Sequence, residues 1–212
     1  MLYDKDIREP LFDFLEENYG KIRILEEKRT GRARADVLMI MPSALCGIEI
    51  KSDADSYTRL SSQVKNYDLY YDYNMVAVGS KHASHISEHV PGYWGIITVD
   101  EEEGAPDFYV LRPFTKNPNC RIENKITILW RPELSHIQEI NHMHEYKRES
   151  KKFVTEKILG LVEEEELHRE ISDELFERDY NTIAERINEY RKSMNKKPRR
   201  KRRKTKYNKV RA

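Results

Sequence analysis

Apolar residues recur at helical intervals at the start of the chain: Ile7, Leu11, Phe14 and Leu15 fall on one face of residues 4–19. Asp4 or Asp6 can cap this helix, and Gly20 follows as a stop. Ile22, Ile24 and Glu26 then predict a short strand, and Thr30-Gly31-Arg32 a turn. Two β-rich runs follow, 34–41 and 44–51, separated by the turn signal Pro42-Ser43. Val37-Leu38-Met39-Ile40 is apolar on both faces, which places its strand inside a sheet rather than at an edge. Leu60, Val64, Tyr67 and Tyr71 lie at core spacing and predict a helix over 56–73. A buried strand is expected at 75–78, a short helix at 81–90, a strand at 93–99 and an edge strand at 108–111. The order α-β-β-β-α-β-α-β calls for an α/β fold with a mixed central sheet and helices on its faces.

After about residue 125 the pattern changes. Residues 126–146 and 150–192 predict charge-rich helices, the second stretch as two helices packed on the sheet domain or on a partner. The expected division is a sheet domain over 1–125, a C-terminal helical appendage over 126–195 and a basic tail over 196–212. The 212 residues are 38% hydrophobic and 35% charged, enough to bury a core without staples. The longest apolar run, Val37–Met41, is far short of the ~18 residues a membrane span needs. The opening Met-Leu-Tyr-Asp-Lys-Asp has no signal-peptide pattern. Cys46 and Cys120 make neither a disulfide framework nor a zinc quartet, so a reducing, cytoplasmic setting is expected.

The net charge of +1 conceals an asymmetry. Residues 196–212 hold eleven of the 38 basic residues and no acid, leaving 27 basic against 37 acidic residues, a net −10, over 1–195. The block Arg199-Arg200-Lys201-Arg202-Arg203-Lys204 repels itself, and its natural counter-ion is a polyanion such as nucleic acid. A solvated solubility tail or a targeting signal is the alternative.

One strand pair carries chemistry. If Pro42-Ser43 is a two-residue hairpin loop, Met41 faces Ala44, Leu38 faces Gly47 and Asp36 faces Glu49. Opposite residues hold their Cβ atoms ~5 Å apart, and Lys51 shares the face of Glu49. Two carboxylates so placed destabilise a sheet unless a proton, a basic neighbour or a cation lies between them. Hard oxygen ligands at this spacing suit Mg²⁺ or Mn²⁺. Glu9 on the first helix is a candidate third ligand, with Asp6 and Asp13 as alternatives. The triplet acid-x-Lys alone says little, since it starts at Glu26, Glu49, Glu123, Glu145 and Glu149. Only the Glu49 copy follows a strand-like run and an Asp-led strand at hairpin spacing; the bland reading is an edge strand guarded by a Glu/Lys pair.

Asp36, twelve residues, then Glu49-Ile50-Lys51, preceded by a helix bearing Glu9, resembles the PD-(D/E)xK nuclease superfamily. Ala35 stands where the family's name has Pro. The order over residues 4–79 is similar to that family's restriction-endonuclease-like αβββαβ core. Gln63 and Tyr67 resemble the Gln-x-x-x-Tyr signature of some members, and the stretch from Asp6 to Trp94 looks like small bacterial and phage proteins of the superfamily. Leu129-Trp130-Arg131 has no evident role in the likeness.

The resemblance implies Mg²⁺-dependent hydrolysis of a phosphodiester, with DNA the expected substrate and Mn²⁺ able to substitute. Asp36, Glu49, Glu9 and the Ile50 carbonyl would hold the ion. Lys51 would orient the attacking water or stabilise developing charge, and Gln63 would bond phosphate or the surroundings of Lys51. Arg32, Arg34 and Tyr67 are candidate nucleic-acid contacts beside the tail, although Tyr67 is equally well a core residue. Tyr70, Tyr71 and Tyr73 can stack on bases or fill the core. His142 and His144 make at best a weak zinc pair. The rival expectation is a catalytically inactive nuclease-fold module that binds nucleic acid or a protein through residues 126–192 and the tail, a region that can also serve self-association.

Overall fold

The computed structural model describes residues 2–178, which form one compact unit. Helix α1 (Asp4–Tyr19) leads into strands β1 (Arg23–Thr30), β2 (Ala33–Met41) and β3 (Ala44–Lys51). Helix α2 (Leu60–Tyr67), strand β4 (Tyr73–Gly79), the one-turn α3 (Ser80–Ala83), and strands β5 (Gly95–Glu102) and β6 (Ala105–Arg112) follow. Helices α4 (Ile122–Lys125), α5 (Arg131–Ile140), α6 (Lys151–Leu159) and α7 (Glu164–Phe176) complete the described chain. The six strands lie side by side in sequence order: β1, β2 and β3 antiparallel, β3, β4 and β5 parallel, and β6 antiparallel on β5. The architecture is therefore mixed α/β.

Alternation along the central strands divides the core into two layers. Val37, Met39, Cys46, Ile48, Met75 and Ala77 face α1, whose Ile7, Leu11 and Leu15 are fully buried. Leu38, Ile40, Leu45, Val76 and Val78 face α2 and the later helices. Each Val, Leu, Ile or Met side chain among these that is fully removed from water contributes ~1.5–3 kcal/mol. On the α2 side β3 carries Gly47, where a Cβ would collide with the Tyr71 ring. The missing side chain lets Tyr67 and Tyr71 lie edge to face against the sheet, centroids 5.4 Å apart.

The expected helix over 56–73 is shorter, because residues 68–72 leave α2 to serve as anchors. Asp68 accepts from Trp94 Nε1 at 2.8 Å and from Tyr93 Oη at 2.6 Å, and Asn117 Nδ2 caps the carbonyls of Asp68 and Tyr71. The boundary expected at 125 falls inside the compact unit. Ile126, Leu129, Leu134, Ile137, Val154, Ile158, Leu167, Ile171 and Leu175 share the α2-side core with strand residues, so residues 126–178 are a wall of the domain and not an appendage. The continuous helix expected over 126–146 is broken: a 3₁₀ turn (Ile126–Ile128) precedes α5, and Arg131-Pro132 opens α5 at its first turn, where proline costs no hydrogen bond.

A buried polar knot locks this wall down. Asp72 Oδ2 accepts from Leu45 N in β3 at 2.7 Å and from Lys125 Nζ in α4 at 2.7 Å, while Oδ1 lies 3.0 Å from His168 Nδ1 in α7. Burial alone would push the Asp72 carboxyl up, but the hydrogen bonds from His168 and Lys125 and the nearby ammonium hold it below its ordinary value. Lys125 has no exposed surface, so removing its counter-charge strands an ammonium in the core. Asp72→Ala should therefore cost about 3–5 kcal/mol in urea unfolding, with loss of the sheet and of α7 in one transition. A cost under about 1 kcal/mol, or a separate early transition for the helices, would contradict this.

Candidate active-site cleft

A cleft of about 880 Å³ opens where β2 begins and β3 ends, between the start of α1, the β1–β2 turn and α2. The expected hairpin register holds from Met41↔Ala44 to Val37↔Ile48. The ladder stops one pair short of Asp36 and Glu49. The β1–β2 ladder also skips there, passing from Glu26↔Val37 to Lys28↔Ala35, with Glu27 left-handed at φ 52°. Asp36 thus sits in a gap between two neighbours. Its Oδ2 accepts from Ile50 N at 2.9 Å, while Oδ1 accepts no hydrogen bond among the described residues.

Glu49, 2% exposed, is enclosed by donors. Lys51 Nζ lies 2.7 Å from Oε1, Gln63 Nε2 donates to the same oxygen, and Tyr67 Oη donates to Oε2 at 2.7 Å. Lys51 also donates to Gln63 Oε1 at 3.3 Å. The four-residue spacing of Gln63 and Tyr67 puts both on the sheet-facing side of α2. Burial and the nearby Glu49 charge push the Asp36 carboxyl up to about 7, against the lowering effects of the Ile50 N–H and Arg8. The pair therefore resists carrying two negative charges unless a cation joins it.

Cation binding is compatible with these groups. Asp36 offers an open carboxylate oxygen, Glu49 a second carboxylate beside it, and both line the same cleft as Ile50. Among the described residues no three His, Cys, Asp or Glu side chains converge as a metal cluster. An ion here would draw its remaining ligands from water and substrate, as Mg²⁺ commonly does.

Asp36, Glu49, Ile50, Lys51, Gln63, Arg32 and Arg34 all line the cleft. Glu9 does not. With Ile7 and Leu11 buried against the sheet, Glu9 lies about 200° around the helix from each and is exposed to solvent. Asp13 is likewise exposed, and Asp6 Oδ2 instead accepts from Tyr3 N at 3.0 Å. The α1 residues that reach the cleft are Asp4 and Arg8, one helical turn apart; Arg8 Nη1 donates to the Asp36 carbonyl at 3.1 Å. The α1 periodicity, which buries Ile7 and Leu11, was the signal that could have found them.

Tyr67 has no exposed surface, so it reaches Glu49 but not a nucleic acid. Tyr71 is buried, donating to Thr30 Oγ1 at 2.6 Å, and Tyr73 packs on Phe114 on the other face. Of the three tyrosines only Tyr70 lines the cleft. His144 packs edge-on against Tyr146, and Trp130 is covered by Arg178 with the guanidinium 4.5 Å from its ring centre. Residues 199–204 lie outside the described residues.

The fold and cleft define a mixed α/β protein with an acid pair and a lysine converging where one central strand begins and its neighbour ends. The family described as bacteriophage P4 protein cII matches residues 2–206, and the chain belongs to that family. No curated protein matches it. Among solved structures, SfsA of Pyrococcus furiosus in complex with Ca²⁺ is similar at 15% identity and a TM-score of 0.31. That likeness covers 52% of this chain and 60% of SfsA, so the chain spans about three-fifths of that structure.

The raised Asp36 carboxyl fixes a pH dependence. Its folded value lies above the ordinary 3.8, so the folded state binds more protons than the unfolded between about pH 4 and 7, and stability falls as pH rises through that window. In EDTA, Asp36→Asn should flatten that fall and melt higher than the wild type at pH 8 while differing little at pH 4.5. Parallel Tm profiles for the two proteins would contradict the assignment.

Proposed function

We propose that this chain is a metal-dependent phosphodiesterase of the PD-(D/E)xK kind, acting on DNA, with a restriction-endonuclease-like αβββαβ core formed by α1, β1–β3, α2 and β4. The observation that carries this is the meeting of Asp36, Glu49 and Lys51 in one cleft, with Gln63 and Tyr67 both bonded to Glu49. The phage protein named in the family description agrees with a bacterial or phage-infected cytoplasm as the place of action. Within the described residues no helix is long and apolar enough to cross a membrane.

Asp36 and Glu49, with the Ile50 carbonyl, would hold Mg²⁺ or Mn²⁺. When bound, such an ion polarises a phosphoryl oxygen and lowers the pKa of a coordinated water. Tyr67 and Gln63 fix the Glu49 carboxylate so that its direction does not depend on substrate. Lys51 gives the buried Glu49 carboxylate a counter-charge at hydrogen-bond distance. Its ammonium, between Glu49 and Gln63, is placed to orient the attacking water or to stabilise charge gathering on the phosphoryl oxygens.

The hydrogen-bond saturation of Glu49 favours a second reading. Both its oxygens already have donors, as they would in a nuclease fold retained as an inactive binding module. Calorimetry with Mn²⁺ separates the two. An active site binds the ion in the wild type and loses it in Glu49→Ala, whereas an inactive module binds none.

Cleavage gives the direct test. With Mg²⁺ or Mn²⁺ the wild type should degrade plasmid, linear or single-stranded DNA. Lys51→Ala should lower the rate by about 10²–10³-fold, the usual loss for a group that stabilises transition-state charge. No cleavage by the wild type, or equal cleavage by both, would reject the enzymatic reading.

A further inference from the structure

The cleft carries six cations, and they are not equivalent. On the α1 and β1 side, Arg8 is paired with Asp4 at 2.9 Å and lies near Glu26 and Glu27, while Arg34 is paired with Glu27. Lys51 is committed to Glu49. On the α2 side, Arg32, Arg59 and Lys65 are exposed and form no ion pair among the described residues. One wall of the cleft is neutralised by its own acids; the other holds one acid, Asp55, whose Oδ2 accepts from Ser52, and keeps a net positive charge.

The positive wall is also rigidly set. Asn66 grips the β1–β2 turn from both sides: its Nδ2 donates to the Thr30 carbonyl at 2.8 Å and its Oδ1 accepts from Arg32 N at 2.9 Å. Gly31 at φ 58° packs so closely that a Cβ would stand 2.7 Å from the Tyr70 ring. With the Asn66 bonds, this contact docks the turn against α2 and the residues after it, so that Arg32 lines the same cleft as Arg59 and Lys65. Tyr70 and the exposed Leu69 border the same wall and offer aromatic and apolar surface to bases.

We infer that Arg32, Arg59 and Lys65 form the backbone-binding track of this cleft, along which a single nucleic-acid strand lies with its phosphates against the α2 wall. The inference rests on the nuclease reading for the identity of the ligand. The acidic body makes the track decisive: with a net −10 over residues 1–195, the surface at large repels a polyanion, and only locally uncompensated cations can hold one near Asp36. Cations already paired with carboxylates release few counter-ions when a phosphate arrives, so they add little to affinity or to its salt dependence.

The test is fluorescence anisotropy with a labelled single-stranded DNA 20-mer and the full chain in EDTA, so that binding is read without cleavage. The triple variant Arg32→Ala/Arg59→Ala/Lys65→Ala should bind at least ~30-fold more weakly at low salt, and the slope of log K against log salt should fall by about 2. A matched triple of exposed lysines outside the cleft that also form no ion pair among the described residues, Lys5→Ala/Lys116→Ala/Lys157→Ala, removes the same charge and should leave the slope within about 0.5 of the wild type. All three cleft side chains are exposed, so thermal melting should show both variants folded. Equal weakening by the two triples, or an unchanged slope in the cleft triple, would overturn the track. A wild type that binds through the track but cleaves nothing with Mg²⁺ or Mn²⁺ would end the hydrolase reading and leave the track standing. Full binding by the cleft triple in a protein that cleaves would do the reverse.

Discussion

A glutamate carboxylate almost wholly removed from water must be answered by donors, and the groups that answer Glu49 organise everything around it. Lys51 supplies the counter-charge, Gln63 and Tyr67 the remaining hydrogen bonds, and each comes from an element the sheet must place. Tyr67 can reach Glu49 because Gly47, two residues earlier in β3, leaves room for the two tyrosines to pack edge to face against the sheet. Core packing and site geometry thus depend on the same few positions. Asp36 is the residue left over: it lies beside a satisfied carboxylate, its ladders are interrupted on both sides, and its own proton is hard to lose. That residual tension between two acids is what a divalent cation would relieve.

The later helices hold the opposite end of the same sheet. The Asp72 knot ties β3 to α4 and α7 through Leu45 N, Lys125 and His168. A second buried pair, Glu133 with Arg178 at 2.5 Å, fastens α5 to the end of the described chain beside Trp130. Both are charged contacts placed under apolar layers, which suits a wall that is fixed in register. The cleft lies at the far end of β3 from the Pro42-Ser43 turn, so this bracing supports the strands without occupying the site.

Much of this was legible in the sequence. Helix α1 and strand β3 have the limits their patterns indicate, because Gly20 and Pro42-Ser43 are strong local stops. The hairpin register followed from a two-residue loop. What failed to show was whatever depends on tertiary partners. Glu9 was the candidate third ligand, with Asp6 and Asp13 as alternatives, until the burial of Ile7 and Leu11 fixed the rotation of α1 and brought Asp4 and Arg8 to the cleft instead. Charge-rich helices after residue 125 looked detachable because their apolar positions are sparse, yet most of those positions enter one core, with Ile140 and Leu161 left exposed. Asp72, Lys125 and His168 are far apart in sequence and carry no motif, so no spacing rule could assemble them.

The most direct measurement is the anomalous difference density of a crystal soaked in Mn²⁺. A single strong peak within coordination distance of Asp36 Oδ1 and a Glu49 oxygen, with the Gln63 or Lys51 contact opened to admit it, is expected. A cleft with no peak at saturating Mn²⁺, Glu49 still closed over by Lys51, Gln63 and Tyr67, would contradict the claim that this acid pair exists to hold a cation.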